Sequence, residues 1–313
     1  MLFILGRGRS GTSLISSILN QHEDIAVPPE GCFIRNCHSR FKGGLSTPKN
    51  TRDFVKTMMT ENRMKNWGFD RPELENSIQD RLPLTFQEAC EFVIGHWAEL
   101  QGFAESEILA DKNPHYSLWA KELGGIFPTA RFVHVVRNPF DNIASFQNVR
   151  FDISDAIGLA LRWSVFNEGI LDANLGDRRF EIRYEDLVES PEEAIRNLCA
   201  FLEVGYSDEL LNHQISKDQL SPWHQNLSKP ITSGRVGYGL DQISSQQANC
   251  CNSIVAPVAK RLGYEIAEIG TRPSSYAPFR GKFSLFSEKN IYRLPLNMRN
   301  RIINNYRRRV GSI

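Results

Sequence analysis

The first 21 residues, MLFILGRGRSGTSLISSILNQ, constrain the fold more than any other stretch. Four apolar residues, Leu2 to Leu5, run directly into Gly6-Arg7-Gly8-Arg9-Ser10-Gly11-Thr12-Ser13. Leu14, Ile15, Ile18 and Leu19 then recur at helical spacing. A strand, a tight turn and a helix thus follow one another without a linker. Small residues let the backbone turn sharply, and the N–H groups of the first helical turn converge where an anion is stabilised. The pattern is that of a phosphate-cradling loop. It is not the triphosphate signature G-x-x-x-x-G-K-[ST], because Gly11 is followed by Thr12-Ser13 where that signature needs a lysine. The cations are Arg7 and Arg9, ahead of the helix, so an anion other than a magnesium-bound triphosphate is expected.

Composition limits the partners. The chain has 313 residues, 41% hydrophobic and 23% charged, enough for one large α/β domain or two small ones. A formal net charge of +1 makes any anion-binding surface a local one and gives no support to nucleic acid as a partner. No apolar run approaches the roughly 20 residues of a membrane span. The apolar run at the start is short, with no basic residue before it, unlike a secretory signal. A cytoplasmic protein without an integral membrane segment is expected, with a trimmed piece of a membrane-anchored protein left open. Six cysteines form no C-x-x-C pair, and Cys32 with Cys37-His38 lacks a second ligand pair. Buried thiols and no metal site are the expectation.

Strands and helices alternate along the chain. Residues 31–84 are polar, with Gly43-Gly44 and Trp67, and read as an irregular insertion with short helices. From Phe86, the positions Cys90, Val93, Ile94, Trp97 and Leu100 mark one helix face. EILADKNP reads as a strand ending at Asp111-Lys112, RFVHVVRNP as the clearest strand, and RRFEIRYEDL as another, with a helix capped at Ser190-Pro191 after it. Residues 217–243 lack periodicity, as an active-site loop would, and a final helix covers about 244–262. Residues 271–313 form a basic extension containing Arg307-Arg308-Arg309. Such alternation predicts a mainly parallel sheet flanked by helices, with ligands at the carboxyl ends of its strands.

On that edge three strand ends line up: the Gly/Arg/Ser loop, Lys112 at the end of ILADK, and Arg137 after FVHVV. Ser145 falls in the second turn of the helix after Arg137 and can join its guanidinium on a second anion. Two separate anion sites suit a ligand whose two phosphates are set well apart.

GRGRSGTSL, RNPFDNIAS and RYEDLVESPEEAIRNLCAFL together resemble the sulfotransferases that use 3′-phosphoadenosine 5′-phosphosulfate (PAPS). The arrangement is most similar to tyrosylprotein sulfotransferases and their bacterial relatives. The resemblance covers about residues 1–264, weakly in 31–84. It implies a three-layer α/β fold of P-loop type over residues 1–270. It also implies that Arg9, Ser10, Gly11, Thr12 and Ser13 bind the donor's 5′-phosphosulfate, and that Arg137 and Ser145 hold its 3′-phosphate. Tyr184 matches an aromatic position near the adenine, and Lys112 a lysine that stabilises the sulfuryl and bridge oxygens. Glu30 falls where the general base stands in tyrosylprotein sulfotransferases. His115 is its rival, since small-molecule sulfotransferases use a histidine in that segment. Ser13 replaces the usual second threonine, and SKPITSGRVGYG matches the donor-covering loop only loosely, at Lys229 and Arg235.

The chemistry needs these residue types. Sulfuryl transfer moves negative charge onto the departing phosphate, where cations and N–H groups act, and the acceptor hydroxyl must lose a proton to a carboxylate or imidazole. No metal is required. FVHVV is not followed by an aspartate that could hold magnesium. The acceptor is a hydroxyl of protein tyrosine, carbohydrate, lipid or small metabolite, and a homodimer is left open. The alternatives are an ATP-dependent phosphotransferase and a non-catalytic nucleotide-binding protein of the same fold.

Overall fold

The computed structural model describes residues 1–149, 155–212 and 231–266. The basic extension, Lys229 and the part of the 217–243 loop up to residue 230 lie outside the described residues.

Among the described residues five strands form one sheet, in the order β2 (Ile25–Ala26), β3 (Ile108–Lys112), β1 (Leu2–Leu5), β4 (Arg131–Val136), β5 (Arg179–Arg183). Every pairing is parallel, with Ile4 beside Lys112 on one side and beside Val133 on the other. β1 is central, so the chain's first loop leaves the sheet where the strand order reverses, the usual crevice for a ligand.

Strand alternation divides the core into two faces. Leu2, Ile4, Val133 and Val135 pack with α1 (Thr12–Leu19) and α10 (Pro191–Leu202). Phe3 and Phe132 stack on the other face with ring centroids 5.4 Å apart, joined by Phe127 and Tyr116. That face is covered by α5 (Phe86–Leu100), by a 3-10 turn over Pro114–Trp119, and by α6 (Ala120–Ile126). A third cluster joins Val136 to α7 (Pro139–Gln147), α8 (Ala156–Leu171) and α11 (Ser245–Arg261).

Residues 31–84 fold more regularly than their polarity suggests. They form α2 (Phe33–Phe41), α3 (Pro48–Met59), a 3-10 turn over Asn62–Trp67 and α4 (Arg71–Gln79). The signals are at the helix ends rather than in the periodicity. Thr47 accepts a hydrogen bond from Asn50 N and Asp70 from Glu73 N, each followed by proline in the first turn, and Thr85 with Glu88 completes a capping box for α5. The fully buried Trp67 joins these helices to α5 through Phe33 and Trp97.

Two local expectations need correction. Leu100 lies on the expected face of α5 but is 45% exposed, because the helix has run past the core by its last turn. Ser190 precedes α10 without a side-chain cap, and Pro191 and the acidic Glu192 and Glu193 supply the start signal instead. The six cysteines are free and buried, as expected.

The glutamate of the YEDL stretch proves to be a tie between elements. At the start of α9 (Tyr184–Glu189), Glu185 accepts from Asn138 N and from the Tyr264 hydroxyl, both at 2.8 Å. It thereby fixes the turn after Arg137 to the end of α11. Replacing it leaves a main-chain donor unpaired, so Glu185→Ala should cost about 1–3 kcal/mol and Tyr264→Phe about 1 kcal/mol in urea unfolding. Equal effects of the two would show that the Asn138 bond adds nothing.

Candidate active site

Glycine makes the first loop possible at two points. Gly6 has φ +150°, and a Cβ there would run into the Val135 carbonyl of the adjacent strand. Gly11 has φ +100° and caps α1, and a Cβ there would come within 2.8 Å of the Tyr184 ring. Ser117 locks the entry: its fully buried hydroxyl accepts from Gly6 N at 3.0 Å and donates to Gly6 O at 3.2 Å. Arg9 itself has φ +67°, a left-handed conformation that a residue with a Cβ adopts only when its surroundings impose it.

The loop's two arginines part company. Arg7 is 5% exposed and turns inward, its guanidinium 4.0 Å from the Phe146 ring centroid and 4.8 Å from that of Phe166. Arg9 turns toward α7, where its Nε donates to Ser145 Oγ at 3.2 Å. Arg137, at the end of β4, donates to Arg9 O at 3.2 Å and to Arg235 O at 2.6 Å, with its guanidinium over the Tyr184 ring at 4.2 Å. Arg9, Arg137, Ser145, Tyr184 and Arg235 are therefore brought together. Burial, and then the charges of Arg235 and Arg137, push the Arg9 guanidinium below its ordinary pKa. The buried Arg137 Nε has no hydrogen-bond partner among the described residues. Guanidiniums crowded in this way are stabilised by an anion, and the arrangement fits a phosphate.

A second cluster lies at β3, on the other side of the loop. Lys112 Nζ donates to Ser13 Oγ at 3.2 Å and to Glu30 Oε1 at 2.5 Å, and Arg63 holds Glu30 Oε2 at 2.7 Å. The segment carrying Glu30 is fastened at both ends: Val27 N donates to Asn20 Oδ1, and the Tyr116 hydroxyl donates to Gly31 O. Burial pushes the Glu30 carboxyl up, but Lys112 and Arg63 outweigh it and hold it at about 2. His115 lies within electrostatic reach of Glu30, with its ring centroid 6.3 Å from that of Phe166. On the opposite face of β3, Asp111 is fully buried, and burial, with the charges of Glu61 and Glu30, pushes its carboxyl pKa well above the ordinary carboxylate range. His134 is also buried: burial lowers its pKa to about 4 against the bond to Asn167, so it serves the core.

Sequence reasoning missed Arg63, Asp141 and Asn142. Asn142 donates to Gly8 O at 2.9 Å and to Ser10 Oγ at 3.0 Å, which ties the loop to α7. Both α7 residues stand inside RNPFDNIAS, so the motif carried the signal. Arg63 carried none, because a lone arginine in a polar stretch is ordinarily solvated.

The comparisons agree with this geometry. The profile of the sulfotransferase family matches residues 2–208. Protein-tyrosine sulfotransferase A of Caenorhabditis elegans is 23% identical over 298 residues, covering 90% of this chain and 70% of its own. Protein-tyrosine sulfotransferase 1 of Danio rerio is 22% identical over 280 residues, covering 85% and 72%. The sulfotransferase domain of the Synechococcus PCC 7002 olefin synthase has the same fold, with a TM-score of 0.61 and 23% identity over 85% of this chain and 95% of that one. The chain belongs to the sulfotransferase family and is an enzyme that transfers a sulfuryl group. This sets aside the phosphotransferase and the non-catalytic alternatives. Among the described residues no helix is long and apolar enough to cross a membrane.

The Glu30 clamp has a pH signature. Its folded pKa lies below the ordinary 4.5, so the clamp stabilises the fold above that pH and the contribution is lost as pH falls toward about 2. The loss is bounded by an amount on the order of 3 kcal/mol. Arg63→Gln removes one of the two cations and should move the Glu30 midpoint upward in a carboxyl-carbon NMR titration. An unchanged midpoint would mean that the Arg63 contact is lost to solvent.

Proposed function

We propose that this sulfotransferase takes its sulfuryl group from PAPS and passes it to a hydroxyl acceptor, with Glu30 as general base. The observation that carries the reading is the pair of anion-attracting clusters flanking one loop. One is Arg9, Arg137 and Ser145, with the unpartnered Arg137 Nε. The other is Lys112 and Ser13 beside Glu30. PAPS carries a 3′-phosphate for the first and a 5′-phosphosulfate for the loop and the second. No metal enters the scheme, since arginines and main-chain N–H groups meet both anions.

In the reaction, the acceptor O–H gives its proton to Glu30 while its oxygen bonds to sulfur. The bond from sulfur to the bridge oxygen breaks, and the electron pair stays on that oxygen as part of adenosine 3′,5′-bisphosphate. Lys112 has three N–H donors and gives one each to Ser13 and Glu30, which leaves one for the charge growing on the bridge oxygen. Arg9 assists from the loop. The names of the similar enzymes make a tyrosine-containing peptide the first acceptor to assay, followed by carbohydrate, lipid and small-metabolite hydroxyls.

Adenosine 3′,5′-bisphosphate should stabilise the fold without added metal, by about 2.7 kcal/mol at a hundredfold excess over its dissociation constant. AMP, lacking the 3′-phosphate, should do clearly less. Equal melting shifts, or a need for magnesium, would sink the donor assignment.

Glu30→Gln keeps the side chain's size and removes the proton acceptor. Donor binding should survive while turnover drops about 100- to 10,000-fold, and His115→Gln should have the smaller effect. An active Glu30→Gln with a dead His115→Gln would transfer the base role to His115.

A further inference from the structure

We propose that Asp141 is a positioning residue that latches residues 233–239 against the 3′-phosphate end of the donor site, and so sets the preference for a doubly phosphorylated donor. The proposal rests on the PAPS reading above and extends it to a residue that touches no ligand. Asp141 stands in the first turn of α7, four residues after Arg137, and is 1% exposed. Its Oδ2 accepts from Gly237 N at 2.8 Å and its Oδ1 from Gly239 N at 2.7 Å. Both carboxylate oxygens are thus engaged by main-chain donors from a segment 96 and 98 residues further along.

The glycines allow this approach. Gly237 has φ +77°, and a Cβ on Gly239 would collide with the main chain of Phe140 and Asp141. From the latched segment, Arg235 O accepts from Arg137 at 2.6 Å, and the Tyr238 ring centroid lies 5.9 Å from the Arg137 guanidinium. Arg9 feels the charge of Arg235. The carboxylate therefore acts at one remove: it fixes two N–H groups, and the residues beside them meet the guanidiniums of the anion site.

Only a carboxylate serves both bonds. Asparagine offers a single acceptor oxygen, and its amide N–H groups would oppose the second main-chain donor. Asp141 also spends its acceptors on main chain, not on Arg137, so the nearby guanidinium keeps its charge for an anion. A phosphate drawn to Arg137 competes with the Arg235 carbonyl for one edge of that guanidinium. The bonds at Gly237 and Gly239 keep Arg235 at hand when its carbonyl gives way.

The test compares the full chain with Asp141→Asn by calorimetry, using adenosine 3′,5′-bisphosphate and adenosine 5′-phosphosulfate in metal-free buffer. The latch predicts that the variant binds the bisphosphate about tenfold more weakly, while affinity for the phosphosulfate, which lacks the 3′-phosphate, changes less than about twofold on the same reasoning. An equal loss for both ligands, or no loss, overturns it. A wild-type chain that does not prefer the bisphosphate to AMP overturns the donor reading and the latch with it. A wild-type preference that persists undiminished in the variant overturns the latch alone. Hydrogen exchange on the wild-type chain tests the latch without any variant. Gly237 and Gly239 amides should be protected both free and with bisphosphate, and free exchange at the unprotected rate would overturn it.

Discussion

No side chain fits between Gly6 and the Val135 carbonyl, and the closeness of the first loop to β4 shapes everything around it. Because Gly6 sits against that strand and is bonded both ways to Ser117, the loop leaves the sheet at a fixed height. Arg137, one residue beyond the end of β4, then reaches the Arg9 carbonyl, and Arg9 in its left-handed conformation reaches Ser145. A larger residue at position 6 would move all of these together. The proposed anion site is therefore a property of main-chain packing between two neighbouring strands, and the arginines inherit their places from it.

The same packing explains how a chain of net charge +1 concentrates cations. Carboxylates near the edge are engaged by main-chain or hydroxyl donors, or buried where their ionised form is disfavoured. Glu185 is taken by Asn138 N and Tyr264, and Asp141 by two glycine N–H groups, while burial pushes the Asp111 carboxyl pKa upward. What remains at the carboxyl ends of β1 and β4 is positive. At the end of β3 the carboxylate Glu30 stands between Lys112 and Arg63.

Much of this was legible in the sequence, for identifiable reasons. The strand, loop and helix at the start are contiguous, so their geometry is local and short-range rules suffice. Arg137 and Ser145 share one strand end and one helix, and their spacing fixes their separation. Residues brought together by long returns of the chain were not legible in this way. Arg63 meets Glu30 across the helices of residues 31–84, whose apolar positions are sparse and whose capping residues, Thr47 and Asp70, carry more information than their periodicity. Asp141 was visible in its motif, but its role depends on glycines nearly a hundred residues away. Leu100 fits the helical count and still faces solvent, because periodicity describes a face and not where the core ends.

Lys112 has two anionic claimants on the proposed reading, and this couples the halves of the reaction. With both Lys112 and Arg63 on its oxygens, Glu30 is a carboxylate of very low basicity, poorly suited to accept a proton from a hydroxyl. When the phosphosulfate draws Lys112 charge toward the bridge oxygen, the hold on Oε1 weakens and the carboxylate becomes more basic. Arg63 is 44% exposed, whereas Lys112 is 7% exposed, so water already screens the contact that remains. One ammonium placed between base and leaving group thus links proton acceptance to the presence of the donor. On the proposed reading, a base pre-paired in this way is weak while the sulfuryl group is absent and strengthens once the donor is in place.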